Sequence, residues 1–360
     1  MSRGSVLIMA GGTGGHVFPA LALARALRER SFQVVWLGTR LGIEARLVPA
    51  AGIEVEWISI GGLRGKGMAT LAAAPFRLLR ALWQSLAVMR RRRPEVVVGL
   101  GGFVTGPGGL AAWLARRPLV IHEQNAVAGF TNRVLARFAR SVLEAFPGSF
   151  GGGGAARTIG NPVRREFFAL PEPQARYAAR SGAARILVVG GSQGAARLNA
   201  VVPQALALLA DLGLEVRHQA GERWIESARA AYTGAGVHAE VVPFIDDIAA
   251  AYGWADLVIC RSGALTVSEL AAAGVAAVLV PFPAAVDDHQ TRNARFLVEA
   301  GAAELLPEGE LEAAALAQRL RRLCGERAAL LRMAANARRL ARPQATEELV
   351  AATLAAGGLA

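Results

Sequence analysis

The sequence predicts an α/β fold of two similar domains, each a parallel sheet wrapped by helices, and three observations carry the prediction. The apolar run 6–9 hands over through Ala10-Gly11-Gly12-Thr13-Gly14-Gly15-His16 to a helical pattern over 17–28. About half a chain later, Ile186-Leu187-Val188-Val189-Gly190-Gly191-Ser192-Gln193-Gly194-Ala195 repeats that order of strand, glycine loop and helix. Between the two, apolar runs keep ending in glycine or polar loops followed by helical patterns, the rhythm of strands crossed over by helices. At 360 residues the chain exceeds what one core usually organises, so two domains are expected.

Taken in order, strands are expected at 6–9, 33–37, 96–100 and 119–121. The third runs into Gly101-Gly102-Phe103-Val104-Thr105-Gly106-Pro107-Gly108-Gly109 before a helix at 110–115, and the fourth ends in His122-Glu123-Gln124-Asn125. These loops and the first glycine loop leave the carboxyl end of one parallel sheet, where open α/β folds bind ligands. The glycines of 148–154 and the stretch Gly160-Asn161-Pro162-Val163-Arg164 suit a hinge. Further strands are expected at 186–189, 215–219, 240–242, 257–260 and 277–280. Alanine- and leucine-rich helices fill the remainder, the last at 343–356.

Glycines in the first loop let the backbone take positive φ and let a ligand approach its N–H groups, which the helix N-terminus makes weakly positive. An anionic or polar ligand is expected there. A dinucleotide fingerprint is excluded, because counting G-x-G-x-x-G from Gly12 puts Val17 at the third glycine. A P-loop is excluded as well, since the sole lysine, Lys66, lies far from the loop. A formal charge of +12 favours anionic partners. Nucleic acid is the weakest of these: the arginines are scattered, aromatics are only 6%, and no zinc-finger or RNA-binding signature appears. Cys260 and Cys324 are too few for a disulfide framework, which fits a reducing compartment. The first apolar run is too short for a signal peptide, and Gly274, Pro281 and Pro283 break up the apolar stretch 270–286, so a peripheral or soluble protein is expected.

In the second half the most informative stretch is Asp256-Leu257-Val258-Ile259-Cys260-Arg261-Ser262-Gly263-Ala264-Leu265-Thr266-Val267-Ser268-Glu269. The loop offers Arg261 and free N–H groups, so a diphosphate can lie against it and the helix N-terminus while Glu269 accepts bonds from ribose hydroxyls. An ordinary capped helix with a solvated Glu269 satisfies the same residues. Asp287-Asp288-His289-Gln290 offers polar groups for sugar hydroxyls, with capping accounting for at least one aspartate. No Asp-x-Asp triplet or His-Glu-x-x-His is present, so no metal is called for. His16 is the histidine best placed to titrate against a substrate, although a loop histidine more often serves as a structural hydrogen-bonder.

These residues resemble the MurG family of N-acetylglucosaminyltransferases, which convert lipid I to lipid II in bacterial cell-wall synthesis. The resemblance rests on Gly11-Gly12-Thr13-Gly14-Gly15-His16-Val17-Phe18-Pro19, Gly62-Leu63-Arg64-Gly65-Lys66-Gly67, Gly106-Pro107-Gly108-Gly109, His122-Glu123-Gln124-Asn125, Gly160-Asn161-Pro162-Val163-Arg164, Gly190-Gly191-Ser192-Gln193-Gly194 and the stretch from Arg261 to Glu269. These motifs span nearly the whole chain in order. The resemblance implies a GT-B architecture, two Rossmann-like domains with parallel sheets facing a cleft. It places an acceptor and membrane-binding domain at 1–160, a UDP-GlcNAc domain at 161–342, and a final helix in 343–360 that returns to the first domain. Carried over by position, Ser192 would meet the phosphates, Ile245 the uracil through its backbone, and Ala264, Leu265, Thr266, Val267 and Ser268 would line the donor loop. Glu269 would hold the ribose and Gln290 the GlcNAc hydroxyls, while Thr13, Gly14, Gly15, Asn125 and Arg164 would close the site. Phe103 stands where the family often has tyrosine, and His289 precedes Gln290 where some members have a second glutamine.

The resemblance further implies an inverting transfer of GlcNAc from UDP-GlcNAc to the C4 hydroxyl of the undecaprenyl-linked MurNAc of lipid I, with His16 the candidate base and no cofactor. A UDP-GlcNAc 2-epimerase on the same fold and a non-enzymatic membrane scaffold are the rival readings, and acceptor-dependent turnover separates them. A lipid-linked acceptor brings the protein to the cytoplasmic face of the plasma membrane. On a helix over 75–93, Phe76, Leu79, Trp83 and Leu86 share one face, with Arg77, Arg80 and the arginines 90–93 at its edges. Such a stripe suits an anionic bilayer surface; a helix packed on a sheet buries one too.

Overall fold

The computed structural model describes residues 3–61, 74–151, 156–191, 194–285 and 288–360. They fall into two compact units, Met1–Val163 with Gln344–Ala360, and Arg164–Pro343. The first unit holds β1 (Ser5–Met9), β2 (Gln33–Gly38), β3 (Glu54–Trp57), β4 (Val96–Gly99), β5 (Leu119–Glu123), β6 (Ser141–Glu144) and β7 (Ala156–Thr158) in the order β3-β2-β1-β4-β5-β6-β7. Every pairing is parallel, with Met9 opposite both Leu37 and Gly99. The order reverses between β1 and β4, and at such a reversal the crossovers leave on opposite faces and open a crevice at the strands' carboxyl ends. The loops after β1 and β4 flank that point.

The run Val6 to Met9 has no polar interruption because both faces of β1 are covered. Val6, Ile8, Trp36 and Val98 pack toward the helix Gly14–Glu29 and the final helix Ala345–Gly357. Leu7, Met9, Val35, Leu37 and Val97 pack with residues of the helices Ala74–Arg92 and Thr105–Leu114. The four side chains of 6–9 are fully buried, and such burial is worth about 1.5–3 kcal/mol per large aliphatic residue. Trp36 Nε1 donates to the Ala10 carbonyl at 2.9 Å, which satisfies the buried indole and ties down the exit of β1.

The second unit repeats the arrangement with β8 (Arg185–Val189), β9 (Glu215–Gln219), β10 (Glu240–Val242), β11 (Leu257–Cys260), β12 (Ala276–Leu279) and β13 (Ala303–Leu305), ordered β10-β9-β8-β11-β12-β13 and again all parallel. Its reversal lies between β8 and β11, where Cys260 pairs with Val189.

Several boundaries differ from the sequence reading. The helix expected at 110–115 spans Thr105–Leu114, because two glycines taken for loop are packing positions inside it. A Cβ on Gly108 would overlap Met9 Sδ, and one on Gly109 would come within 2.6 Å of Leu135 Cδ1. The first helix begins at Gly14, so His16 sits in its opening turn rather than in the loop. Strands β3, β6, β7 and β13 were not expected: each is three or four residues long, and polar residues break its apolar pattern. Gly148 and Gly151 lie between β6 and β7, neighbours in one sheet, rather than at the division between the units; Gly152, Gly153 and Gly154 lie outside the described residues. The division between units falls after Val163, beyond Gly160 and Asn161, which are bonded to His122 and Gln124 of the first unit.

Candidate functional site

In the first unit the chemistry gathers at the carboxyl ends of β1, β2, β4 and β5. Gly12 takes φ +91°, and its N–H donates to Glu44 Oε2 at 2.9 Å. Glu44 opens the short helix Glu44–Ala50 and is fully buried. Its other oxygen accepts from the Thr39 N–H at 3.1 Å and the Thr39 hydroxyl at 2.8 Å. This carboxylate is therefore a brace between the loops after β1 and β2, and it needs small neighbours: a Cβ on Gly11 would lie 2.6 Å from Glu44 Oε1. Sequence reasoning missed Glu44. A carboxylate after β2 of such a sheet reaches a ribose in dinucleotide-binding proteins; here it turns inward to the glycine loop.

The braced loop leads to Thr13, an exposed N-cap whose side chain makes no capping bond, and to Gly14 and Gly15 in the first turn. That turn carries no acidic residue, so its backbone donors and helix dipole suit an anion. Gly101 and Gly102, after β4, have φ of +107° and +86°. A Cβ on Gly102 would overlap the Gly11 carbonyl, and one on Gly101 would sit 2.7 Å from His16 Nδ1. Two glycine loops thus close on each other around one histidine. His16 Nδ1 lies 2.9 Å from Gln124 Oε1, and Gln124 Nε2 lies 2.9 Å from Nδ1 of the buried His122. Beside them Glu123 accepts from the Asn125 N–H, Asn125 Nδ2, the Gly129 N–H and Asn132 Nδ2, which fixes the Asn125 amide. Phe103 is exposed on the β4 loop. Thr13, Gly14, Gly15, His16 and Asn125 therefore belong to one loop cluster, and Gln124 joins them.

In the second unit the loops after β8 and β11 play the corresponding part. Gly191 takes φ +80°; its N–H donates to Gln219 Oε1 at 3.0 Å, while Gln219 Nε2 donates to the carbonyls of Gly191 and Pro243. Ser192, Gln193 and Asp287, and the motif from Gly62 to Gly67, lie outside the described residues. After β11 the helix Ala264–Ala273 starts directly behind Gly263. Leu265 and Thr266 are half-buried; Ala264 and Val267 are buried, and the Val267 N–H donates to the Gly263 carbonyl at 3.0 Å. The Ser268 hydroxyl donates to the Ala264 carbonyl at 3.0 Å. Arg261 does not offer its charge to this loop as the sequence suggested. Its guanidinium donates to the Val280 and Pro281 carbonyls, pairs with Glu308 and lies over the Phe282 ring.

Glu269 is not a solvated helix residue. Its side chain is 20% exposed, with Arg164 Nη2 3.9 Å away, and burial raises its carboxyl to about 7 against the pull of Arg164. Arg164 stacks over Phe167, which in turn meets Tyr252. Gln290, in the first turn of His289–Val298, accepts from the Phe282 N–H at 2.9 Å and so belongs to the loop after β12. Asp288 stands at the N-cap of that helix, but its carboxylate accepts from the Thr291 hydroxyl rather than capping the backbone. Ile245 is half-buried in the segment after β10.

Comparison with known proteins covers both units. Residues 6–144 match the glycosyltransferase family 28 N-terminal domain and 185–349 its C-terminal domain. The chain is 60% identical to the UDP-N-acetylglucosamine--N-acetylmuramyl-(pentapeptide) pyrophosphoryl-undecaprenol N-acetylglucosamine transferase of Marinobacter nauticus, over 97% of this chain and 96% of the relative. It is 59% identical to the protein of the same name from Nitrosococcus oceani, over 96% of each. Among solved structures it is similar to Acinetobacter baumannii MurG, with a TM-score of 0.87 and 43% identity over 98% of this chain and 99% of the other.

Proposed function

We infer the reaction from one premise: the chain belongs to glycosyltransferase family 28 and, within it, to the MurG enzymes. It transfers GlcNAc from UDP-GlcNAc to lipid I, giving lipid II for peptidoglycan. The observation that carries this is the similarity to the Marinobacter nauticus transferase over 97% of the chain, which takes in both loop clusters.

The first unit supplies the acceptor loops and the base, the second the donor loops. The MurNAc C4 oxygen bonds to the anomeric carbon as the bond from that carbon to the β-phosphate oxygen breaks. The departing electron pair stays on UDP, and attack from the opposite face inverts the centre to a β-1,4 link. His16 takes the hydroxyl proton. Backbone N–H groups at the start of the helix Ala264–Ala273 and in the loop after β8, with Ser192, meet the charge that grows on the diphosphate. The carboxylate of Glu269 accepts from the ribose hydroxyls, Ile245 meets the uracil, and Gln290 reaches the sugar hydroxyls. Thr13, Gly14, Gly15, Asn125 and Arg164 complete the substrate contacts.

The lipid-linked acceptor requires membrane contact, yet among the described residues no helix is long and apolar enough to cross a bilayer. The protein works as a peripheral enzyme at the cytoplasmic face of the plasma membrane, through the helix Ala74–Arg92. That helix buries Ala81, Ser85, Val88 and Met89, whereas Phe76, Leu79 and Trp83 are 77%, 54% and 65% exposed. The sheet does not account for those three; only Leu86 of the stripe packs inward. Arg91 and Arg92 are occupied by Glu54 and Glu56, so the basic fringe for anionic lipid is the exposed Arg77, Arg80, Arg90 and Arg93.

The test is acceptor dependence. Purified protein should release UDP only when UDP-GlcNAc and a lipid I analogue are both present. Donor turnover without acceptor would favour the epimerase reading, and no UDP release above background would leave the scaffold.

A further inference from the structure

A histidine serves as a base only from a ring nitrogen that carries no proton, so the tautomer of His16 decides which atom can act. Nothing in the sequence states it, but the hydrogen bonds do when followed from their far end. The Gly160 carbonyl can only accept, so His122 Nε2, 3.0 Å away, carries a proton. His122 is completely buried, and desolvation holds its pKa below the ordinary histidine value. It is therefore neutral, with a bare Nδ1 that accepts from Gln124 Nε2 at 2.9 Å. The same amide nitrogen also donates to the His122 backbone carbonyl at 3.1 Å, and the Gln124 backbone carbonyl accepts from Asn161 Nδ2 at 3.0 Å. Both ends of the glutamine are thereby oriented. Its Oε1 can only face His16 Nδ1, at 2.9 Å, and that nitrogen must donate. A neutral imidazole free in water prefers the opposite tautomer, with the proton on Nε2.

We propose that Gln124 and His122 are positioning residues: a relay from the Gly160 carbonyl that holds His16 in the Nδ1–H form and leaves Nε2 bare to take the acceptor proton. The relay holds no carboxylate. Glu123, the nearest acid on this strand, spends its oxygens on Asn125, Gly129 and Asn132, and the β4 loop presents uncharged Gly101 to the ring. The orienting group is thus neutral, unlike the aspartate that sets the histidine tautomer in serine proteases. Gly160 and Asn161 directly precede the boundary after Val163, so the relay is anchored to the segment that leads out of the first unit.

This rests on His16 being the base, and the tests separate the two claims. Long-range 15N–1H NMR on the full chain labelled at histidine should give His16 a pyrrole-type Nδ1 and a pyridine-type Nε2 at pH 8; the reverse assignment overturns the relay whatever the variants do. Gln124→Leu, which keeps the bulk but neither polar group, should lower kcat at least about tenfold, leave the KM for UDP-GlcNAc unchanged, and move the His16 signals toward the Nε2–H form. Gln124→Glu restores an acceptor for Nδ1 with a charge, so it should recover part of the loss and raise the acidic limb of the rate profile by about one pH unit. If Gln124→Leu keeps wild-type kcat and tautomer while His16→Ala is inactive, the relay is wrong and the base stands. If His16→Ala keeps its rate, the base assignment has failed.

Discussion

Replacing Glu269 by glutamine should stabilise the protein and weaken donor binding at once. Burial lifts the Glu269 carboxyl from its ordinary 4.5 to about 7. The folded state therefore binds its proton more tightly than the unfolded chain does. The associated stability is fully present below pH 4.5 and is lost as pH rises through 7. At about 1.4 kcal/mol per pKa unit, ionisation at pH 8 costs the fold about 3 kcal/mol, and the 20% exposure of the side chain leaves little screening to discount. Arg164 loses its partner in the variant, but its side chain is 50% exposed and 3.9 Å away, a surface-type pair worth less than about 1 kcal/mol. In a unit of this size, 1 kcal/mol moves the Tm by about 2–4 °C. Glu269→Gln should therefore raise the Tm of the second unit by about 5 °C or more at pH 8 and by almost nothing at pH 4.5. The same variant loses an ionised acceptor for the ribose, worth about 1.5–3 kcal/mol, so its Kd for UDP-GlcNAc at pH 8 should rise about 10- to 100-fold. Calorimetry at the two pH values checks the first effect and titration with donor the second. A variant no more stable than wild type at pH 8 would refute the desolvation argument; unchanged affinity would remove Glu269 from the ribose role.

His16→Ala should lower kcat by two to four orders of magnitude, roughly the worth of a positioned base, and abolish the acidic limb of the rate profile while UDP-GlcNAc still binds. Gly102→Ala puts a Cβ onto the Gly11 carbonyl at a φ of +86°, so denaturant unfolding should show a loss of about 2 kcal/mol or more, with activity falling at temperatures where the protein remains folded. Glu44→Gln presents an amide where three donors converge; it should destabilise by about 1–3 kcal/mol and raise the KM for the lipid I analogue more than that for UDP-GlcNAc. Leu79→Ser with Trp83→Ser should leave the fold and soluble donor binding intact, because both side chains are exposed, and should release the protein from anionic vesicles in a flotation assay.

The loops of both sheets were legible because glycine has few other uses at the end of an apolar run. At Gly12, Gly101, Gly102 and Gly191 the backbone does take positive φ. The same signal misled at Gly108 and Gly109, where the missing Cβ serves helix packing against Met9 and Leu135; a lone sequence does not tell a turn from a close approach. Arg261 looked like a phosphate ligand because it follows a strand, yet carbonyls from the neighbouring strand end and Glu308 claim it. Glu44, Gln124 and His122 carry no motif for their roles. Each acts on a residue 32 or more positions away in the chain or through such a residue, and only the strand order brings those partners together.

Inverting transfer to the C4 hydroxyl is tested most directly on the bond that forms. Donor labelled with 13C at the anomeric carbon, incubated with the protein and a lipid I analogue, should give a disaccharide whose one-bond C–H coupling is that of a β-anomer and whose long-range correlation runs to MurNAc C4. An α-linked product, a link to another oxygen, or label recovered only in free or epimerised sugar would contradict it.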